Sequence, residues 1–136
     1  MSSPYEAMFD TNIVSHMVRY PQGVVADRLR ARGERLYCVS VIVVAELRFG
    51  VAKLGSERLG NQVEDALATL DILPLDVPCD DVYAQIRTHL ESRGTIISPN
   101  DLFIAAHALA LDLTLITANT REFSRVPNLR LENWLA

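Results

Sequence analysis

Four short apolar stretches, Ala7–Phe9, Leu36–Val39, Ile72–Leu75 and Leu113–Thr117, are each followed within a few residues by a break or by a segment patterned for a helix. This alternation constrains the fold more than any other feature of the chain. Strands that are apolar along their length, and not only at every second residue, are buried on both faces, and the intervening helices supply the cover of a parallel sheet. Ile13, Val14 and Met17 recur at helical spacing after the first strand, and Val24–Arg32 reads as a second helix beyond the Pro21-Gln22-Gly23 break. Ser40 is a candidate N-cap for a helix over Val41–Phe49. Gly50, Gly55 and Gly60 are expected to interrupt the chain beyond that helix, and Glu57–Leu70 reads as an amphipathic helix. Paired with its predecessor, it makes a hairpin that is a natural surface for a partner chain. Asp80 or Asp81 opens a helix that runs through Arg93 and stops at Gly94. Ser98-Pro99-Asn100-Asp101 starts an Ala-rich helix to about Leu111, and Leu129–Leu131 is a last short strand before Trp134. The expected fold is α/β: a single domain over 1–136, with a parallel four- to five-stranded sheet sandwiched between helices.

Composition bounds the function classes. With 136 residues, 49% of them hydrophobic and 22% charged, the chain is long enough for one independent core. Its apolar runs are too short or too interrupted to span a bilayer. The stretch Met1-Ser2-Ser3-Pro4-Tyr5-Glu6 has no basic segment followed by an apolar one, so no secretion signal is expected. Cys38 and Cys79 show neither CxxC nor Cys/His spacing, which argues against a zinc site or a disulfide framework and predicts a reducing cytoplasm. The net charge of −4 taken alone counts against a nucleic-acid partner. Attraction to phosphate is local, however, and screened beyond about 10 Å. Twelve arginines against the single Lys53 suit bidentate phosphate contact, although a GC-rich genome gives the same bias.

The chemistry concentrates in four polar positions: Asp10, Glu46, Asp101 and Asn119. Each stands where a strand gives way to a helix, or one to two turns into that helix, and in a parallel sheet this gathers them at the carboxyl edge. Separations of 36, 55 and 18 residues mean that only folding unites them. Two carboxylates about 4 Å apart repel by roughly 4 kcal/mol at an effective dielectric of 20, so three of them call for a cation such as Mg²⁺, with Mn²⁺ as a substitute. Each residue also has a plainer reading. Asp10 caps a helix, Asp101 is the acidic N3 residue of a capping-box variant, Asn119 sits in an ordinary turn, and Glu46 is a surface acid beside Arg48. Thr117 and Asn12 are supporting polar groups next to these positions. His16, His89 and His107 show no spacing for an acid–base pair, and neither GxSxG nor a glycine-rich phosphate loop is present.

The strings Met8-Phe9-Asp10-Thr11-Asn12-Ile13, Val44-Ala45-Glu46-Leu47, Pro99-Asn100-Asp101-Leu102-Phe103-Ile104-Ala105-Ala106-His107-Ala108, Leu115-Ile116-Thr117-Ala118-Asn119-Thr120-Arg121-Glu122-Phe123 and Leu129-Arg130-Leu131-Glu132-Asn133-Trp134 resemble, in order and spacing, the PIN-domain ribonucleases. The likeness is to their VapC toxin branch and covers nearly the whole chain. It implies a Mg²⁺- or Mn²⁺-dependent endoribonuclease toxin, dimeric, blocked by a VapB-type antitoxin, and acting on structured RNA such as tRNA, including initiator tRNA. Asp10, Glu46 and Asp101 match the family's acids. Asn119 departs from the Asp that many members carry, and Glu122 in the following turn is the acid placed to compensate. Arg48, Arg121 and Arg125 are candidate RNA contacts by their nearness in sequence to the site. Two other classes compete with this reading. A haloacid-dehalogenase-like phosphatase needs a second acid where Asn12 stands, and a non-catalytic acidic-pocket domain of the receiver type needs an acidic pair before the first strand's Asp.

Overall fold

A computed structural model describes residues 3–33 and 35–136; Met1 and Ser2, part of the stretch weighed for a secretion signal, lie outside the described residues. Five parallel strands form one sheet: β1 (Ala7–Phe9), β2 (Tyr37–Ser40), β3 (Asp71–Leu73), β4 (Thr114–Ile116) and β5 (Leu131–Glu132), in the order β3-β2-β1-β4-β5. Every residue of β1 and β2 is buried. Because alternate side chains point to opposite faces, the centre of the sheet is covered on both sides. The helices are α1 (Thr11–Arg19), α2 (Val24–Arg32), α3 (Val41–Leu54), α4 (Glu57–Leu67), α5 (Cys79–Ser92), α6 (Pro99–Ala110) and α7 (Thr120–Phe123). Of these, α1 packs against α2, α3 and α4, while α5 packs on α6, which in turn meets α3 and β4. Ala105, Ala106 and Ala108 are fully buried on α6, where small side chains let helix and sheet approach closely.

Register places the site. Phe9 lies opposite both Val39 and Ile116, so the next residue on each strand, Asp10, Ser40 and Thr117, falls in one row at the carboxyl edge. These three, with His107, are the buried polar or charged residues among the described ones. The strand order reverses direction at β1, and such a switch point opens the crevice in which α/β proteins bind ligands. His107 makes a 2.8 Å hydrogen bond between its Nδ1 and Ser40 Oγ, and burial pushes its pKa down.

Two of the three expected glycine interruptions are absent. Gly50 lies inside α3 and Gly60 inside α4; only Gly55, with φ +65°, ends a helix. At Gly60 a Cβ would meet Val51 Cγ1 at 3.3 Å, so close packing of the hairpin outweighs the roughly 1 kcal/mol helix penalty of glycine. The helix over Val41–Phe49 therefore extends to Leu54, and Ser40 caps it by accepting from the Ile42 N–H. Strands β3 and β5 are shifted by one to two residues from their expected places, and Arg121-Glu122-Phe123, expected as a turn, lies in α7.

The C-terminal segment is anchored by Trp134. Its ring centroid lies 5.2 Å from those of both Phe9 and Tyr37, edge to face, and its Nε1–H donates to Glu132 at 2.8 Å. Replacing a buried aromatic of this kind leaves a cavity costing about 3–5 kcal/mol. Trp134→Ala is expected to lose stability of that order in urea denaturation, and a loss below about 1 kcal/mol would show that the segment does not anchor β5.

Candidate active site

Asp10 ends β1 and precedes α1. It stands at the N-cap position, yet its side chain makes no capping bond. Instead one carboxylate oxygen, Oδ2, accepts from Thr117 Oγ1 at 2.7 Å and from Asn12 Nδ2 at 3.3 Å. Both donors are themselves fixed: Thr117 Oγ1 accepts from the Asn119 N–H at 3.0 Å, and Asn12 Oδ1 accepts from the Ala118 N–H at 3.0 Å. The other oxygen, Oδ1, is buried with no hydrogen-bond partner. Burial pushes the Asp10 pKa up, Thr117 opposes the shift, and the charges of Glu46 and Glu122 add to it.

Glu46 is half-buried on α3, with Thr11 Oγ1 donating to Oε1 at 2.6 Å and Asn100 Nδ2 donating to Oε2 at 3.3 Å. Asp101, in the first turn of α6, is raised to about 7 by burial, with the charges of Glu122 and Asp10 adding to that effect. The neighbouring acid is Glu122, which the sequence marks only as a compensating group. Glu122 accepts from the Ser98 N–H at 3.0 Å and from Asn119 Nδ2 at 2.6 Å. Burial works to raise Glu122, but these bonds, Asp101 and the nearby Arg125 charge hold it below the usual range. Asn119 thus serves the cluster through Glu122. The spacing Asn119-x-x-Glu122 is a capping-box pattern, and it is the sequence signal that could have identified the fourth acid.

The fold brings Glu46, Asp101 and Glu122 within electrostatic reach of Asp10, and Glu122 within reach of Asp101. Among the described residues no three Asp, Glu, His or Cys side chains stand together as a finished ion cage. The donor set nevertheless fits a hard divalent cation. It is all oxygen, it carries excess negative charge, and a buried carboxylate oxygen is left without a partner. The three candidate arginines differ in their contacts. Arg48 forms an exposed ion pair with Glu64 at 3.0 Å across the hairpin, and Arg125 donates to the Ile96 carbonyl at 3.1 Å. Arg121 is exposed on α7, one residue from Glu122.

The PIN domain matches residues 7–129. "Ribonuclease VapC2" of Rickettsia felis is 39% identical over 129 residues, covering 93% of this chain and 96% of the relative. "tRNA(fMet)-specific endonuclease VapC" of Salmonella typhimurium is 34% identical, covering 93% and 96%. Among solved structures, Rickettsia felis VapBC2 bound to a DNA fragment from its promoter superimposes with TM-score 0.85 at 38% identity, over 94% of this chain and 98% of that one. DNA-bound VapBC of Salmonella typhimurium gives 0.89 at 34%, over 96% and 98%. The chain belongs to the PIN-domain family, in its VapC branch. A haloacid-dehalogenase-like assignment is thereby set aside.

The folded protein keeps the Asp101 proton up to about pH 7, whereas an ordinary Asp releases it near 3.8. Protonation therefore favours the folded state. This contribution is complete below pH 3.8 and is lost as pH rises through 7. In chelator, Asp101→Asn is expected to raise the unfolding midpoint at pH 8 and to flatten the decline in stability between about pH 4 and 7. An unchanged slope would show that Asp101 is not raised in the folded state.

Proposed function

We propose that this chain is a metal-dependent endoribonuclease toxin, restrained by a VapB-type antitoxin, that hydrolyses phosphodiester bonds in structured RNA. The observation that carries the reading is the unpartnered, buried Oδ1 of Asp10 amid three further acids. The relatives' names support ribonuclease activity, and the Salmonella relative's name points to tRNA, including initiator tRNA, as the substrate class. The structural neighbours are toxin–antitoxin complexes, which supports the same kind of partner here. A homodimer and a cytoplasmic site of action complete the proposal. Among the described residues no helix is long and apolar enough to cross a membrane.

Asp10, Asp101 and Glu46 would hold Mg²⁺, or Mn²⁺ in its place, with Glu122 as a fourth acid. Bound there, the cation would polarise the scissile phosphate and lower the pKa of water. Thr117 and Asn12 fix the rotamer of Asp10 through Oδ2 and leave Oδ1 without a partner, and Asn119 orients Glu122. Arg121 has no side-chain partner among the described residues, and the exposed Arg48 and Arg125 keep N–H donors beyond those given to Glu64 and the Ile96 carbonyl, so all three could meet the RNA backbone. Water-driven hydrolysis does not use the RNA 2′-OH, so it leaves a 5′-phosphate and a 3′-OH.

Purified protein incubated with total RNA and Mg²⁺ is expected to cut it, and excess chelator to stop the cutting. Asp10→Asn, Glu46→Gln and Asp101→Asn should each reduce the rate to below about one hundredth while far-UV circular dichroism is unchanged. Full activity in Asp10→Asn, or 2′,3′-cyclic phosphate ends, would reject this mechanism.

A further inference from the structure

Glu46 differs from the other acids in how it is held. The two donors on its carboxylate come from two other helices, Thr11 at the first position of α1 and Asn100 in the first turn of α6, and each takes one oxygen. Thr11 is separated from Glu46 by 35 residues and Asn100 by 54, so neither bond is a by-product of local helix geometry. Both donors are neutral. An Arg or Lys in either place would fix the carboxylate by cancelling its charge, whereas a hydroxyl and an amide fix it and leave the charge available. Each oxygen keeps a further lone-pair site after its single bond. Without the pair, a flexible, half-buried Glu facing the charge of Asp10 would turn outward to water.

We propose that Thr11 and Asn100 are positioning residues that preorganise Glu46 for a divalent cation, an inference that rests on the metal-dependent reading of the site. They touch neither cation nor RNA in this role. They act by setting where the Glu46 oxygens stand, as hydrogen-bonding partners outside a metal's immediate ligands commonly do. Thr11 adjoins Asp10, and Asn100 adjoins Asp101. The residues next to two of the acids thereby orient the third, and a shift of α1 or α6 is transmitted to all three carboxylates together.

Titration calorimetry with Mn²⁺ on chelator-stripped full chain tests this without RNA. Thr11→Val/Asn100→Ala is expected to weaken Mn²⁺ binding by about tenfold, with its melting temperature in chelator close to that of the parent, and Thr11→Ser to retain parental affinity. Mn²⁺ electron paramagnetic resonance should show the same ranking in free ion. Parental affinity in the double variant, or a Thr11→Ser variant as weak as Thr11→Val, would overturn the positioning role alone. Absence of Mn²⁺ binding in the parent would instead remove the metal-dependent reading, and this inference with it. If the double variant fails to fold, Asn100→Ala, at an exposed position, carries the comparison by itself: a weakened affinity supports the role and an unchanged one overturns it.

Discussion

The hydrogen bond from Thr117 to the buried carboxylate of Asp10 is the contact on which the site's arrangement depends. A carboxylate at 3% exposure is costly to ionise, and the acids around it increase that cost. Thr117 and Asn12 reduce it on one oxygen only. The asymmetry stems from the parallel register: β1 and β4 run side by side, and continuing each by one residue sets Asp10 beside Thr117. Sheet geometry therefore determines which lone pairs are satisfied and which remain free.

Around this contact the helices act as adjustable supports. The first turns of α1 and α6 contribute both acids and amide or hydroxyl donors, so the residues that create the charge repulsion stand beside those that orient it. The electrostatic strain is accommodated partly by hydrogen bonding and partly by protonation, with Asp101 raised and Glu122 lowered within one pair. Two acids so differently poised are one of the patterns by which functional sites are recognised.

Much of this is legible in the sequence because the governing signals are local. Continuously apolar strands such as Met8-Phe9 and Cys38-Val39 announce a covered parallel sheet, and acids just beyond them announce its carboxyl edge. Gly60 misleads because local helix propensity yields to tertiary packing, its decisive neighbour being Val51 on the other helix, whereas at Gly50 a Cβ would meet nothing within 4 Å and close packing does not explain the glycine. Glu122 is understated for a similar reason. A four-residue helix leaves almost no periodic signal, and the contact that brings Glu122 into the cluster comes from Ser98, 24 residues earlier. The Arg48–Glu64 pair is illegible for the same reason, since Glu64 lies on the opposite arm of the hairpin.

The elevated Asp101 pKa means that, near neutrality, the cation-free protein carries an exchangeable hydrogen ion inside its acidic crevice. Any divalent ion that settles among these carboxylates must expel it, so loading acidifies the surroundings and becomes harder as the medium itself turns acid. In the proposed metal-dependent enzyme, ion and proton would thus compete for the same oxygens.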